Sequence, residues 1–181
     1  MIKSLDAPYE VSGKKVNTWL KLKNLALTSD MRDTLDLVPI GAFYGRGNRT
    51  GMYGSFLMAS YNSSSQKFET VCKLGTGFTL KQLAEIELEP LATTPQDQLL
   101  TANQIYRYSK LIQPDVWLKP SQIWEVQAAC FTLSKTYQCG NAIISQQGGA
   151  YNGLSLRFPR FIRVRDDKKI RMPLLSFFDM A

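Results

Sequence analysis

Residues 36–74 read as three extended stretches separated by two turns, and no other feature of the chain narrows its folding choices as much. Residues 36–44 (DLVPIGAFY) are rich in apolar and aromatic side chains. The turn that follows, residues 45–54 (GRGNRTGMYG), carries four glycines and two arginines. Residues 55–61 return as a second strand, residues 62–66 form a polar turn, and residues 68–74 make a third strand. Strands joined by short turns of this composition form an antiparallel meander.

A helix is predicted next. Thr79 with Gln82 three residues on forms a capping box, and Leu80, Leu83 and Ile86 keep helical spacing up to Pro90. Two more extended segments follow, residues 123–133 (IWEVQAACFTL) and 153–165, and another precedes the meander at 16–23. Five or so short strands interrupted by one helix predict a mainly β chain, a five-stranded Greek-key barrel of the OB type. An immunoglobulin-like sandwich is the architectural rival, and the mid-chain helix counts against it.

At 181 residues and 44% hydrophobic content, the chain suits one domain with a packed core and leaves room for a small piece of another. No apolar run approaches the ~18 residues of a membrane span. There is no histidine, which excludes Ser-His-Asp and Cys-His catalysis and histidine-ligated metal within this chain. Cys72, Cys130 and Cys139 are scattered and odd in number, so they define neither a disulfide framework nor a zinc knuckle, and no metal site is expected. Reduced thiols fit an intracellular compartment.

The net charge of +7 favours a polyanionic partner only if the cations are grouped. They are. Residues 157–171 (RFPRFIRVRDDKKIR) hold seven basic residues against two acidic ones. Strand alternation beyond Pro159 predicts Ile162 and Val164 inward, with Phe161, Arg163 and Arg165 sharing the other face. Arginines two apart on a strand sit roughly 6.6–6.8 Å apart, a spacing that suits neighbouring phosphates. A solvated edge strand charged against aggregation is the bland reading. A second group is WLKLK at 19–23, where alternation puts Trp19, Lys21 and Lys23 on one face. The third is the glycine-rich turn with Arg46 and Arg49, a candidate phosphate contact. It is not a Walker loop, because no GK[ST] follows.

Taken in this order, the segments resemble the ATP-dependent DNA ligases, most closely the eukaryotic replicative type. WLKLK resembles ligase motif V. Residues 33–62 (DTLDLVPIGAFYGRGNRTGMYGSFLMASYN) resemble the first hairpin of the ligase OB domain. CKLGTGF at 72–78 and WEV at 124–126 are further landmarks, and LSLRFPRFIRVRDDK at 154–168 is similar to motif VI with its terminal R-x-D-K. The first residues, MIK, resemble the end of motif IV. On that resemblance residues 1–24 are the end of the nucleotidyltransferase domain and 25–181 the OB-fold domain.

The resemblance implies a three-step chemistry in the intact enzyme. A lysine takes AMP from ATP, the AMP passes to the 5′-phosphate at a nick, and the 3′-hydroxyl displaces it. The nucleophilic lysine sits in a KxDG motif, and no KxDG occurs in this sequence, so the chain is expected neither to ligate alone nor to bind ATP and Mg2+ stably by itself. By resemblance, Lys21, Lys23, Arg163, Arg165, Asp167 and Lys168 bind the nucleotide. Arg46, Arg49, Arg157, Phe158 and Arg160 meet nicked double-stranded DNA. The implied partners are that DNA and the missing N-terminal adenylation and DNA-binding domains, with no membrane, and the implied location is nuclear in a eukaryote. Departures from the family pattern are Pro39, which demands a strand edge or bulge, Asn48, Cys130 and the tail after Lys168. An mRNA capping guanylyltransferase shares motif V, an OB domain and the R-x-D-K ending. A non-catalytic single-strand-binding OB module is the third reading.

Overall fold

The structure, a computed structural model, describes residues 2–3, 6, 19–20, 33–147 and 150–170. Two short strands, β1 (Ile2–Lys3) and β2 (Trp19–Leu20), pair antiparallel. The meander follows as β3 (Leu35–Tyr44), β4 (Tyr53–Asn62) and β5 (Lys67–Leu74), each antiparallel to its neighbour. Helix α1 (Leu80–Glu85) opens with the expected capping box, Gln82 N–H donating to Thr79 and Gln82 reaching back to the Thr79 N–H. A second helix that the periodicity did not reveal, α2 (Pro95–Ile105), starts at Thr94 with proline in its first turn. The short strands β6 (Tyr106–Arg107) and β7 (Val116–Trp117) come next.

Each of the last two predicted strands is broken in two. The fourth is β8 (Trp124–Gln127) and β9 (Cys130–Ser134); the fifth is β10 (Gly153–Arg157) and β11 (Arg160–Val164), with the one-turn helix α3 (Asn141–Ile144) between them. β8 pairs with β3 and β11, and β9 pairs with β10, all antiparallel. The fifth strand returns toward the third along an irregular seam. Gln138 and Cys139 N–H both donate to the Thr70 carbonyl, Leu154 N–H to the Cys139 carbonyl, and Phe161 N–H to the Thr76 carbonyl. This connectivity is that of an OB-fold, a mainly β, partly open five-stranded barrel. The expectation of one interposed helix is corrected, since α1 and α2 both lie between the third and fourth strands.

β3 reads as a continuous apolar run because both of its faces are covered. Leu37, Ala42, Phe56, Met58, Leu74, Trp124, Val126 and Phe161 fill the barrel. On the opposite side of the meander, Val38, Ile40, Leu57, Ala59 and Phe68 pack with Ala102 and Ile105 of α2, and with Trp117. Pro39 sits where the β3–β4 register shifts, between Pro39 and Gly41, and falls between the residues of β3 that pair with β8 and those that pair with β7. The bulge demanded by a proline in a central strand is present. Cys72, Cys130 and Cys139 are free thiols. No helix among the described residues is long and apolar enough to cross a membrane.

Candidate functional site

β11 does not follow simple alternation. Its register against β8 slips between Phe161 and Arg163, so a bulge at Ile162 puts two successive residues outward. Phe161 is therefore buried, stacked 4.3 Å from Phe78 and edge-on to Trp124, while Ile162 is 40% exposed. This reverses the faces expected for Phe161 and Ile162. It leaves Arg163 outward beside Glu125, its partner in register.

The strand order also sets two carboxylates side by side, because Asp36 of β3 pairs in register with Glu125 of β8. Like charges directly opposite on neighbouring strands repel. The cations after the bulge compensate them. Arg163 Nε donates to Glu125 Oε2 at 2.7 Å. Arg165 donates twice to Asp167, Nε to Oδ1 at 2.8 Å and Nη2 to Oδ2 at 2.7 Å, and its Nη1 reaches Asp36 Oδ1 at 3.1 Å. Lys168 Nζ donates to Asp36 Oδ2, and the Thr34 hydroxyl donates to Glu125 Oε1 at 2.8 Å. Asp36 and Glu125 belong to no motif that marks them as a pair; the WEV landmark contains Glu125 but does not indicate what it faces.

The hydrogen bonds from Arg165 hold the Asp167 carboxyl well below the usual range, and the same contact raises the Arg165 guanidinium. The Thr34 hydroxyl, followed by Arg163, lowers Glu125. The set is balanced, three cations on three carboxylates, but its members are not equally placed. The Arg165 side chain is only 15% exposed and acts as an internal bracket, whereas Arg163 and Lys168 are 56% and 45% exposed. Such an arrangement holds two guanidiniums and an ammonium together at one end of β11, with the outer two able to exchange a carboxylate for an incoming phosphate.

The other basic group lies at the opposite end of β11. Phe158, between β10 and β11, is 60% exposed and has φ 54°, a left-handed conformation costly for a bulky residue. The Arg157 guanidinium lies 4.9 Å from its ring centroid. Arg157 and Arg160 are both exposed. An apolar ring held outward at a strained turn, flanked by two arginines, suits contact with a sugar–phosphate backbone better than a place in the core.

At the tip of the β3–β4 hairpin the two arginines separate. Arg46 is exposed. The Arg49 guanidinium, expected to reach phosphate, is directed at protein instead, with Nη1 donating to the carbonyls of Gly54 at 2.7 Å and Gly75 at 2.8 Å. Lys21 and Lys23 lie outside the described residues. Among those residues, no group of three His, Cys, Asp or Glu side chains is arranged to hold a metal ion.

A family described as the ATP dependent DNA ligase C terminal region matches residues 49–168. DNA ligase 1 of Arabidopsis thaliana is 43% identical over 172 residues, which cover 93% of this chain and 20% of that protein. DNA ligase 1 of Saccharomyces cerevisiae is 40% identical over 173 residues, 94% of this chain and 21% of that protein. The DNA ligase of Sulfolobus acidocaldarius is 40% identical over 172 residues, 94% of this chain and 27% of that protein. The chain spans roughly a fifth to a quarter of the length of these curated relatives.

Proposed function

Because this chain belongs to the ATP-dependent DNA ligases, matching their C-terminal region, we propose that it is the OB-fold part of a nick-sealing enzyme and serves two different steps with two different groups of residues. The observation that carries this reading is the division of the basic residues around β11. Arg163, Arg165 and Lys168 converge with Asp36, Glu125 and Asp167 at one end. Arg157 and Arg160 flank an exposed phenylalanine at the other. A single-strand-binding module needs stacking aromatics across its barrel and has no use for the first group. The capping-enzyme reading gives way to the family to which the chain belongs.

ATP is the nucleotide the family name implies, and Arg163 and Lys168 are the groups of this chain fitted to its terminal phosphates. Arg165, held by Asp167 and Asp36, sets where those two stand. Neutralising charge on an in-line phosphoryl displacement is what fixed cations contribute. Mg2+ accompanies ATP in the intact enzyme. Lys21 and Lys23 would reach the adenylate phosphate from the end of the adenylation domain. Arg46, Arg157 and Arg160 grip phosphates of nicked duplex, with Phe158 against the sugars, so binding is led by the backbone and indifferent to sequence. Residues 1–24 and 25–181 divide between the two domains, the adenylation and DNA-binding domains of the same protein complete the enzyme, and in a eukaryote it works in the nucleus.

The deciding experiment separates the steps in the intact enzyme. Arg165→Ala or Lys168→Ala should cut self-adenylylation by about tenfold or more, the scale of one hydrogen bond to a charged group. Sealing of a nick supplied already adenylated should stay near normal, because pyrophosphate has left by then. Equal losses in the two assays would overturn the assignment.

A further inference from the structure

We infer that Thr76 positions the Phe158 turn for the nick, and that Arg49 steadies Thr76 from behind. The inference rests on the reading of Phe158 as a DNA contact. A bulky residue at φ 54° does not stay there by its own preference; surrounding structure has to over-determine it. The structure supplies three fixings. The Arg157 carbonyl accepts from Ala129 N–H at 2.9 Å. The Pro159 carbonyl accepts from the Thr76 hydroxyl at 2.6 Å. Phe161 N–H donates to the Thr76 carbonyl at 2.9 Å. Two of the three come from one residue, which grips the turn from both sides of Arg160.

The segment around Thr76 is itself pinned. The Gly75 carbonyl accepts from Arg49 Nη1 at 2.8 Å, and the same nitrogen donates to Gly54 across the hairpin. Gly77 has φ 98°, and a Cβ there would lie 2.3 Å from the Phe161 carbonyl oxygen, so only glycine lets the segment approach β11 this closely. A continuous chain of interactions thus runs from the hairpin tip through Arg49, Gly75 and Thr76 to Pro159. Thr76 is exposed and is not among the buried core residues, so its removal acts on the turn rather than on the core.

A double-mutant cycle in the intact enzyme, read as affinity for nicked duplex, tests this. Thr76→Val removes the hydroxyl and keeps the shape; it should weaken nick binding roughly three- to fivefold, the scale of one neutral hydrogen bond, while self-adenylylation stays at the wild-type rate. Thr76→Ser should restore wild-type affinity. Thr76→Val added to Phe158→Ala should bind no more weakly than Phe158→Ala alone, because positioning has no effect once the ring is gone. Arg49→Met, which attacks the same segment from the hairpin side, should show the same lack of additivity. Additive losses would mean that Thr76 acts on DNA directly or through general stability, and would overturn the inference. So would wild-type affinity in Thr76→Val beside a weakened Phe158→Ala. Wild-type affinity in Phe158→Ala itself would instead remove the reading of Phe158 on which the inference rests.

Discussion

Arg165 shows how a single side chain can organise a site without being its most exposed member. Its guanidinium has two donors on Asp167 and one on Asp36, and only 15% of the side chain meets solvent. Each donor favours the ionised form of its partner, which is why the Asp167 carboxyl lies below its ordinary value. The sign of the resulting pH dependence follows. A carboxyl depressed by folding adds stability at pH above its unfolded value, and that contribution is lost as pH falls through the folded value. The network should therefore persist through the neutral range and come apart only in acid, below the ordinary carboxylate range. Carboxyl carbon NMR of this chain should give Asp167 a midpoint below 3.8, its unperturbed value, and Arg165→Gln should move it upward. A wild-type midpoint at 3.8, or one indifferent to that substitution, would show that the bracket does not form in solution.

Elements whose identity is set by neighbours in sequence were legible, and those set by tertiary partners were not. The meander could be read because its turns carry their own chemistry, glycines in one and Asn62 to Gln66 in the other, and the strands found differ from the expected ones by two residues at most. Helix α1 could be read because a capping box is a local signal. Thr79→Ala should cost about 1 kcal/mol, the usual worth of such a cap, and lower the urea midpoint of the chain without changing the slope. An unchanged midpoint would mean that α1 is held by Leu83 in the core and not by its cap. Helix α2 has a weak periodic signal because its buried apolar residues are few, Ala102 and Ile105 among polar neighbours, although Thr94-Pro95 is a local start signal. The bulge at Ile162 was invisible for a different reason. RFIRV holds two adjacent apolar residues, Phe161 and Ile162, and the string does not say which of them turns outward; only the pairing with Trp124, Glu125 and Val126 decides which residue is doubled. That one irregularity moved Phe161 from the proposed phosphate face into the core.

For the molecule as a whole, the positive charge matters less than which cations are free. The +7 balance includes Arg163, Arg165 and Lys168, all compensated by carboxylates, and Arg49, which is directed at backbone carbonyls. The sequence could place Arg46 and Arg49 in one turn but could not tell that they would differ, because one of the two carbonyls that hold Arg49 belongs to Gly75, far along the chain. Of the cations proposed to meet DNA, the exposed ones are Arg46, Arg157 and Arg160. Binding of nicked duplex by the intact enzyme should register this difference through salt. Removing one cation from a phosphate of duplex DNA lowers the slope of log K against log salt by about 0.9. Arg46→Ala should therefore weaken binding at low salt and make the dependence shallower by about that amount. Phe158→Ala should weaken binding with the slope unchanged, since an apolar contact releases no counterions. Arg49→Met should resemble Phe158→Ala and not Arg46→Ala, because what it removes is the support of the Gly75–Gly77 segment and, through it, the placing of that ring. Salt titrations of the three variants beside wild type would decide the matter. A slope that falls with Arg49→Met as much as with Arg46→Ala would mean that Arg49 leaves its carbonyls and takes a phosphate when DNA arrives.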